Sequence, residues 1–196
     1  VAVGEFVAFV DSDDYDDLRM YETLYKRVTE NSSTTCFCGF NKVDIFQNIH
    51  PISEVKSLQI LNSQNAVQGF LLDMIGAEPS CSVDARYQMS VWHAIYSRSI
   101  LDENNLRFCS EKEYISEDII FHIDYLQKVD NIVLIPEPMY YYCDNVDYAS
   151  LSKGFRSDRF ERYVFLYKEI NLRVPSNEVS ARSKRLLIGY TRALLF

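Results

Sequence analysis

Residues 1–10 are mostly apolar and stop abruptly at Asp11-Ser12-Asp13-Asp14. Such a run reads as a strand buried on both faces, as in a parallel sheet. Its carboxylates then stand at the strand's C-terminal end, the edge where open α/β sheets bind their ligands. Several like charges so close together are costly unless a cation compensates them. Hard oxygen donors select Mg²⁺ or Mn²⁺, ions that keep water ligands and are completed by substrate phosphates, so only one or two carboxylates need touch the metal. A diphosphate substrate follows from that chemistry. The competing reading is an Asp-rich turn that ends a strand and opens the next helix, and spacing alone leaves the two level.

The rest of the composition narrows the field. The chain of 196 residues is long enough to bury a core, and 47% hydrophobic residues with only six glycines and five prolines exclude disorder and low complexity. A net charge of −8 opposes broad attraction to nucleic-acid phosphates. Cys36, Cys38, Cys81, Cys109 and Cys143 form no metal or redox spacing with one another or with His50, His93 and His122, so they are expected to be buried or partly buried free thiols in a reducing compartment. With no leader pattern and no apolar run of the ~20 residues that span a bilayer, the expected location is cytoplasmic, extending to the inner face of the membrane.

Periodicity supplies the framework. Leu18, Tyr21, Leu24, Tyr25 and Val28 recur at helical spacing over residues 16–29, with Asp16 and Asp17 at the favourable end. Residues 34–46 predict a strand and 50–57 a loop. Val67, Phe70, Leu71, Met74 and Ile75 mark a helix over 62–75, closed by Gly76. Residues 91–96 predict a short strand and 99–104 a helix. Ser116 is placed to cap a helix that carries Glu117 and Asp118 in its first turn and turns Ile119, Ile120, Ile123 and Leu126 inward. A strand over 131–134 is expected to break at Pro136 and Pro138 and resume over 139–142. Two amphipathic helices, 157–173 and 176–196, meet near Pro175. The change from mixed elements to helices divides the chain into residues 1–149 and a helical extension, 150–196.

Residues 4–14, Gly-Glu-Phe-Val-Ala-Phe-Val-Asp-Ser-Asp-Asp, closely resemble the segment that carries the Asp-x-Asp motif in family 2 glycosyltransferases of the GT-A fold. Three further blocks follow in that family's order. Trp92 and Tyr96 match a Trp-x-x-hydrophobic-Tyr pattern. Leu106-Arg107-Phe108 and Ser116-Glu117-Asp118-Ile119-Ile120-Phe121 match an "LRF … EDxxF" block. Pro138-Met139-Tyr140-Tyr141-Tyr142 and Ser150-Leu151-Ser152 match the closing block. Four ordered blocks over residues 4–152 are far more specific than any one of them.

The resemblance implies a partial GT-A, Rossmann-like α/β fold: a mixed sheet with flanking helices and a C-terminal helical extension. It implies an inverting transfer of sugar from a nucleotide-diphosphate sugar to a saccharide or lipid-linked saccharide hydroxyl, in the setting of bacterial surface polysaccharide. Asp13 would coordinate Mg²⁺ or Mn²⁺ on the sugar diphosphate. Asp11 would contact the ribose or a metal-bound water, and Asp118 would be the general base. Glu117 is the rival base, but neighbouring helical positions point about 100° apart.

Departures from the family are as informative. Its N-terminal nucleotide-binding half has no counterpart here, so the chain is expected to be part of a longer protein and inactive alone. At His93-Ala94 many relatives place Gly or Asn followed by Lys. A non-catalytic carbohydrate-binding or interaction module is therefore the alternative, and a glycosidase ranks lower because it has no use for an acidic cluster of the metal-binding kind. Trp92 reads as a core anchor and His93 as a partly exposed loop residue. His122 lies near the base or in solvent, and Tyr140 and Tyr142 share a sheet face. The basic and apolar residues over 184–196 admit peripheral membrane contact, with ordinary packing the stronger reading.

Overall fold

A computed structural model describes residues 2–110, 113–144 and 157–193. Its centre is the parallel pair β3 (Thr35–Val43) and β7 (Ile132–Cys143). In β3, Cys36, Cys38 and Phe40 belong to one core and Phe37 to the other, so both faces are covered and alternation is lost. The described strands form one mixed sheet in the order β1 (Phe6–Ala8), β6 (Ala94–Ser97), β3, β7, β2 (Tyr15–Asp16). The strands β4 (Ile49–Ile52) and β5 (Gln59–Leu61) join antiparallel to β3 and β7 respectively.

Helix α1 (Met20–Glu30) covers one face with Met20, Leu24 and Val28. The other face carries α2 (Gln64–Ile75) and α4 (Glu117–Leu126). Ile119, Ile120, Ile123 and Leu126 of α4 are all buried, each contributing about 1.5–3 kcal/mol by leaving water. The short α3 (Arg98–Glu103) follows β6, and a 3-10 turn, Val91–His93, precedes it.

Several sequence expectations change. Strand β1 does send alternate residues to the two cores, Val7 to one and Phe6 and Ala8 to the other. Among the described residues it is half-buried and ends the sheet, antiparallel to its neighbour β6. An apolar run does not distinguish an edge from a centre, nor parallel from antiparallel. Helix α1 starts at Met20 rather than Asp16, since Tyr15 and Asp16 pair with Tyr141 and Tyr140 of β7; Leu18 is left exposed. The expected loop over 50–57 contains β4. Its hairpin is closed by Asp44, whose carboxylate accepts from the amides of Phe46 and Asn48.

Pro136 and Pro138 do not break β7. They lie between its pairing with β5, which reaches Leu134, and its pairing with β2, which begins at Tyr140. Here the register against β3 slips beside Gly39. A Cβ on Gly39 would meet Pro136 O at 3.2 Å and Pro138 Cα at 3.3 Å, so the close approach needs glycine.

Helices α5 (Arg159–Arg173) and α6 (Asn177–Ala193) pack on the second face, α5 against α4 and α6 against α2. Buried Arg182 donates to Asp73 at 3.1 Å and to the Gly76 carbonyl at 2.8 Å. Gly76 closes α2 in an extended conformation, not the left-handed one; a side chain there would strike the Arg182 backbone. Arg185 holds the carbonyls of Glu78 and Cys81 and Arg192 pairs with Asp84, so these basic groups fasten the loop over 77–90. Among the described residues no helix is long and apolar enough to cross a membrane. The Ser150-Leu151-Ser152 match and the boundary at residue 150 lie outside the described residues.

Candidate active site

The chain leaves β1 through Phe9, whose ring packs on Tyr96, Phe108 and Phe121 at centroid distances of 5.5, 4.9 and 5.4 Å. Phe121 belongs to α4, so this aromatic cluster ties the end of β1 to the helix that bears Asp118. The next residues make a turn in which the Asp14 amide donates to the Asp11 carbonyl at 3.2 Å. Asp11 and Asp13 are exposed on it, and Asp14 is half-buried.

The three acids differ in their surroundings. Partial burial, and then the charge of Asp13, push the Asp11 carboxyl up. Asp14 accepts from the Cys143 amide at 2.8 Å and from the Tyr140 hydroxyl at 2.7 Å, both belonging to β7. Burial still holds its carboxyl above the usual range against those two hydrogen bonds. Tyr140 also accepts from the Asp11 amide at 3.2 Å.

Asp118 stands in the first turn of α4, half-buried, and accepts from the Val91 amide at 3.3 Å. Burial chiefly, then the neighbouring Glu117, raise its pKa to about 7; the Val91 hydrogen bond opposes them, and the charge of Asp11 adds to the rise. The structure thus places Asp118 and Asp11 within electrostatic reach of each other. A carboxylate poised near neutrality suits proton abstraction. Ser116 holds the N-cap position but makes no capping hydrogen bond, and its hydroxyl instead meets the Tyr190 hydroxyl of α6 at 2.9 Å.

The bystanders resolve clearly. Trp92 is a core residue, stacked on Tyr140 at 4.2 Å and on Tyr142 at 5.9 Å, so those two tyrosines do share a face. His93 is fully buried, not a partly exposed loop residue, because the 3-10 turn folds it under the sheet, 3.6 Å from Glu54. His122 is also fully buried, with its pKa pushed down to about 3 by desolvation and by His93. Ala94 opens β6 with its methyl buried. Cys36 and Cys38 are buried, Cys109 and Cys143 half-buried, and Cys81 is exposed, against expectation, on the loop that α6 fastens.

Among the described residues no three His, Cys, Asp or Glu side chains converge to cage a metal. Asp14 is committed to Tyr140 and Cys143, so Asp11 and Asp13, exposed hard-oxygen donors on one turn, are the groups that fit Mg²⁺ or Mn²⁺ shared with a phosphate. A cavity of about 280 Å³ lies elsewhere, between β1 and α1, lined by Phe6, Ala8, Tyr21, Tyr25 and Ile95. Asp11 and Asp13 themselves lie at open surface.

No family model matches the chain. It is 22% identical over 144 residues to the uncharacterized glycosyltransferase EpsJ of Bacillus subtilis (strain 168), covering 74% of this chain and 39% of EpsJ. It is 24% identical over 170 residues to the uncharacterized glycosyltransferase YibD of Escherichia coli (strain K12), covering 83% of this chain and 45% of YibD. Among solved structures it shares its fold with S. aureus TarS 1-349 in complex with UDP-GlcNAc. That match has a TM-score of 0.62 and 21% identity and covers 97% of this chain and 48% of TarS. A TarS complex with UDP gives a TM-score of 0.57 at 22% identity, covering 100% of this chain and 48% of that one. The chain is therefore related to glycosyltransferases, and it spans less than half the length of these relatives.

Proposed function

We propose that this chain carries the acid-rich half of an inverting family 2 glycosyltransferase that moves a sugar from a nucleotide-diphosphate sugar to an acceptor hydroxyl in bacterial surface polysaccharide synthesis. The observation that carries the reading is Asp118, poised near pH 7 at the start of a buried helix and within electrostatic reach of Asp11 on the turn that exposes Asp11 and Asp13. The UDP and UDP-GlcNAc bound by its fold neighbour support a nucleotide-sugar donor.

In this mechanism Asp118 accepts the acceptor's hydroxyl proton while that oxygen bonds to the anomeric carbon. The bond from the anomeric carbon to the diphosphate oxygen breaks, and the nucleoside diphosphate leaves on the opposite face with inversion. Asp13 would hold Mg²⁺ or Mn²⁺ on the sugar diphosphate, and that ion would supply positive charge as the diphosphate leaves. Asp11 would contact the ribose or a metal-bound water.

The test is sugar transfer by the full-length protein with Asp118→Asn. Turnover should fall by about 10²–10⁴-fold while donor binding persists; unchanged turnover removes Asp118 as the base. Buried Ala94 favours a second reading, a binding module, because it offers an acceptor no side-chain contact where many relatives carry Lys. Metal-dependent donor binding with no turnover in the full-length protein would establish it.

A further inference from the structure

The Asp11–Asp14 turn lies at the surface, yet its shape is set by a tyrosine that is not exposed at all. The Tyr140 hydroxyl sits between both ends of the turn, accepting from the Asp11 amide at 3.2 Å and donating to Asp14 Oδ2 at 2.7 Å. The Cys143 amide takes the other oxygen, Asp14 Oδ1, at 2.8 Å. With both oxygens of Asp14 engaged by β7, the carboxylate that spacing alone would count as a third metal ligand is turned inward. Asp11 and Asp13 are the acids left on the outer side of the turn.

The phenol ring has a second attachment. It stacks on Trp92 at 4.2 Å with an interplanar angle of 12°. Trp92 directly follows Val91, whose amide donates to Asp118 Oδ2. One side chain therefore touches the acidic turn through its hydroxyl and, through its ring, the side chain of the residue that follows the amide bound to Asp118.

We infer that Tyr140 is the positioning residue that locks the Asp11–Asp14 turn in register with Asp118, and that Asp14 is its anchor and not a metal ligand. This rests on the glycosyltransferase reading above. A hydroxyl shared between a backbone donor and a carboxylate is a charge-assisted link, stronger than an ordinary hydrogen bond. Its loss frees the Asp11 amide at one end of the turn and one Asp14 oxygen at the other, while the bond from Asp14 to Asp11 and the Cys143 contact stay in place.

The experiment compares Tyr140→Phe with Tyr125→Phe in the full-length protein. Tyr125 is an equally buried tyrosine whose hydroxyl meets Thr35 and the Ser97 amide, away from the acidic turn. Two readouts are taken: amide hydrogen exchange over residues 11–14, and the affinity for UDP with Mn²⁺ by calorimetry. Both variants should lose thermal stability. Only Tyr140→Phe should speed exchange in the turn and weaken Mn²⁺-dependent UDP binding, by about tenfold for the loss of one charge-assisted bond. Asp14→Asn should weaken it by a similar factor and add little to Tyr140→Phe in the double variant, since both substitutions cut the same link.

Exchange or affinity in Tyr140→Phe that matches wild type overturns the inference. So does an Asp14→Asn effect fully additive to that of Tyr140→Phe, which would make Asp14 an independent ligand. Wild-type protein that binds no UDP with Mn²⁺, while the turn still loosens in Tyr140→Phe, locates the failure in the glycosyltransferase reading, and the inference falls with it.

Discussion

Asp13 lies exposed on a turn whose backbone is held from behind by β7, whereas Asp118 sits in the first turn of a helix of which nearly every later residue is buried. The residue type is the same and the surroundings are opposite. On the turn, open surface leaves room for a cation and a diphosphate, and two acids side by side raise the benefit of a counter-ion. On α4, burial and the adjacent Glu117 hold a proton near neutrality, which makes Asp118 a poor standing ligand and a good proton acceptor. In the proposed mechanism the environment, more than the residue, divides metal binding from base chemistry.

That division can be broken from either side. Asp118→Asn should cost transfer about 10²–10⁴-fold with Mn²⁺-dependent donor binding retained, read by paired turnover and calorimetry. Asp13→Asn should do the reverse and weaken metal-dependent donor binding by at least about 10–100-fold, the scale for disturbing a ligand's outer partners. Equal losses of binding in the two variants would erase the distinction.

A smaller effect appears in stability. The folded-state pKa of Asp118, about 7, lies above its ordinary value of 3.8, so between those pH values the folded protein keeps a proton that the unfolded chain has released. The associated stability is complete below pH 3.8, declines as pH rises to about 7 and is gone above it. Its size is at most about 4 kcal/mol. Thermal melts from pH 4 to 8 should therefore show Asp118→Asn gaining relative to wild type as pH rises, with the gain levelling off near 7. Parallel curves would mean that Asp118 is not desolvated as described.

The two serine-led helices give the smallest contrast. Ser63 caps α2 by accepting from the Ala66 amide at 3.3 Å, so Ser63→Ala should cost about 1 kcal/mol in chemical denaturation. Ser116→Ala removes no cap from α4, only the contact to Tyr190, and should cost less.

Much of this arrangement is legible in the sequence. The β-branched and aromatic run of β3, the stripe of α2 and the inward isoleucines of α4 follow from local pattern, and ordered motif blocks single out Asp11, Asp13 and Asp118. What is not legible depends on partners distant in sequence. Asp16 is well placed to open a helix, yet β7 takes it into a strand. Pro136 and Pro138 signal a break that does not occur, because β5 and β2, on one side of β7, leave a gap where those residues fall. Strand β4 has no apolar alternation to announce it and exists through pairing with β3. Tyr140 shows its face by alternation with Tyr142, but alternation does not reveal that its hydroxyl reaches Asp14. His93 and His122 carry no signal of full burial, since a histidine in a loop and one under a sheet look alike in sequence.

The most direct test of the central claim is the pH dependence of kcat/KM for sugar transfer by the full-length protein with saturating Mn²⁺. If Asp118 is the base, the rate should climb with a single ionisation in the neutral range, displaced below 7 to the extent that bound cation offsets the charge of Asp11, and Asp118→Asn should flatten that limb. A wild-type profile that is flat through the neutral range, or an Asn variant that keeps the same rising limb, would contradict it.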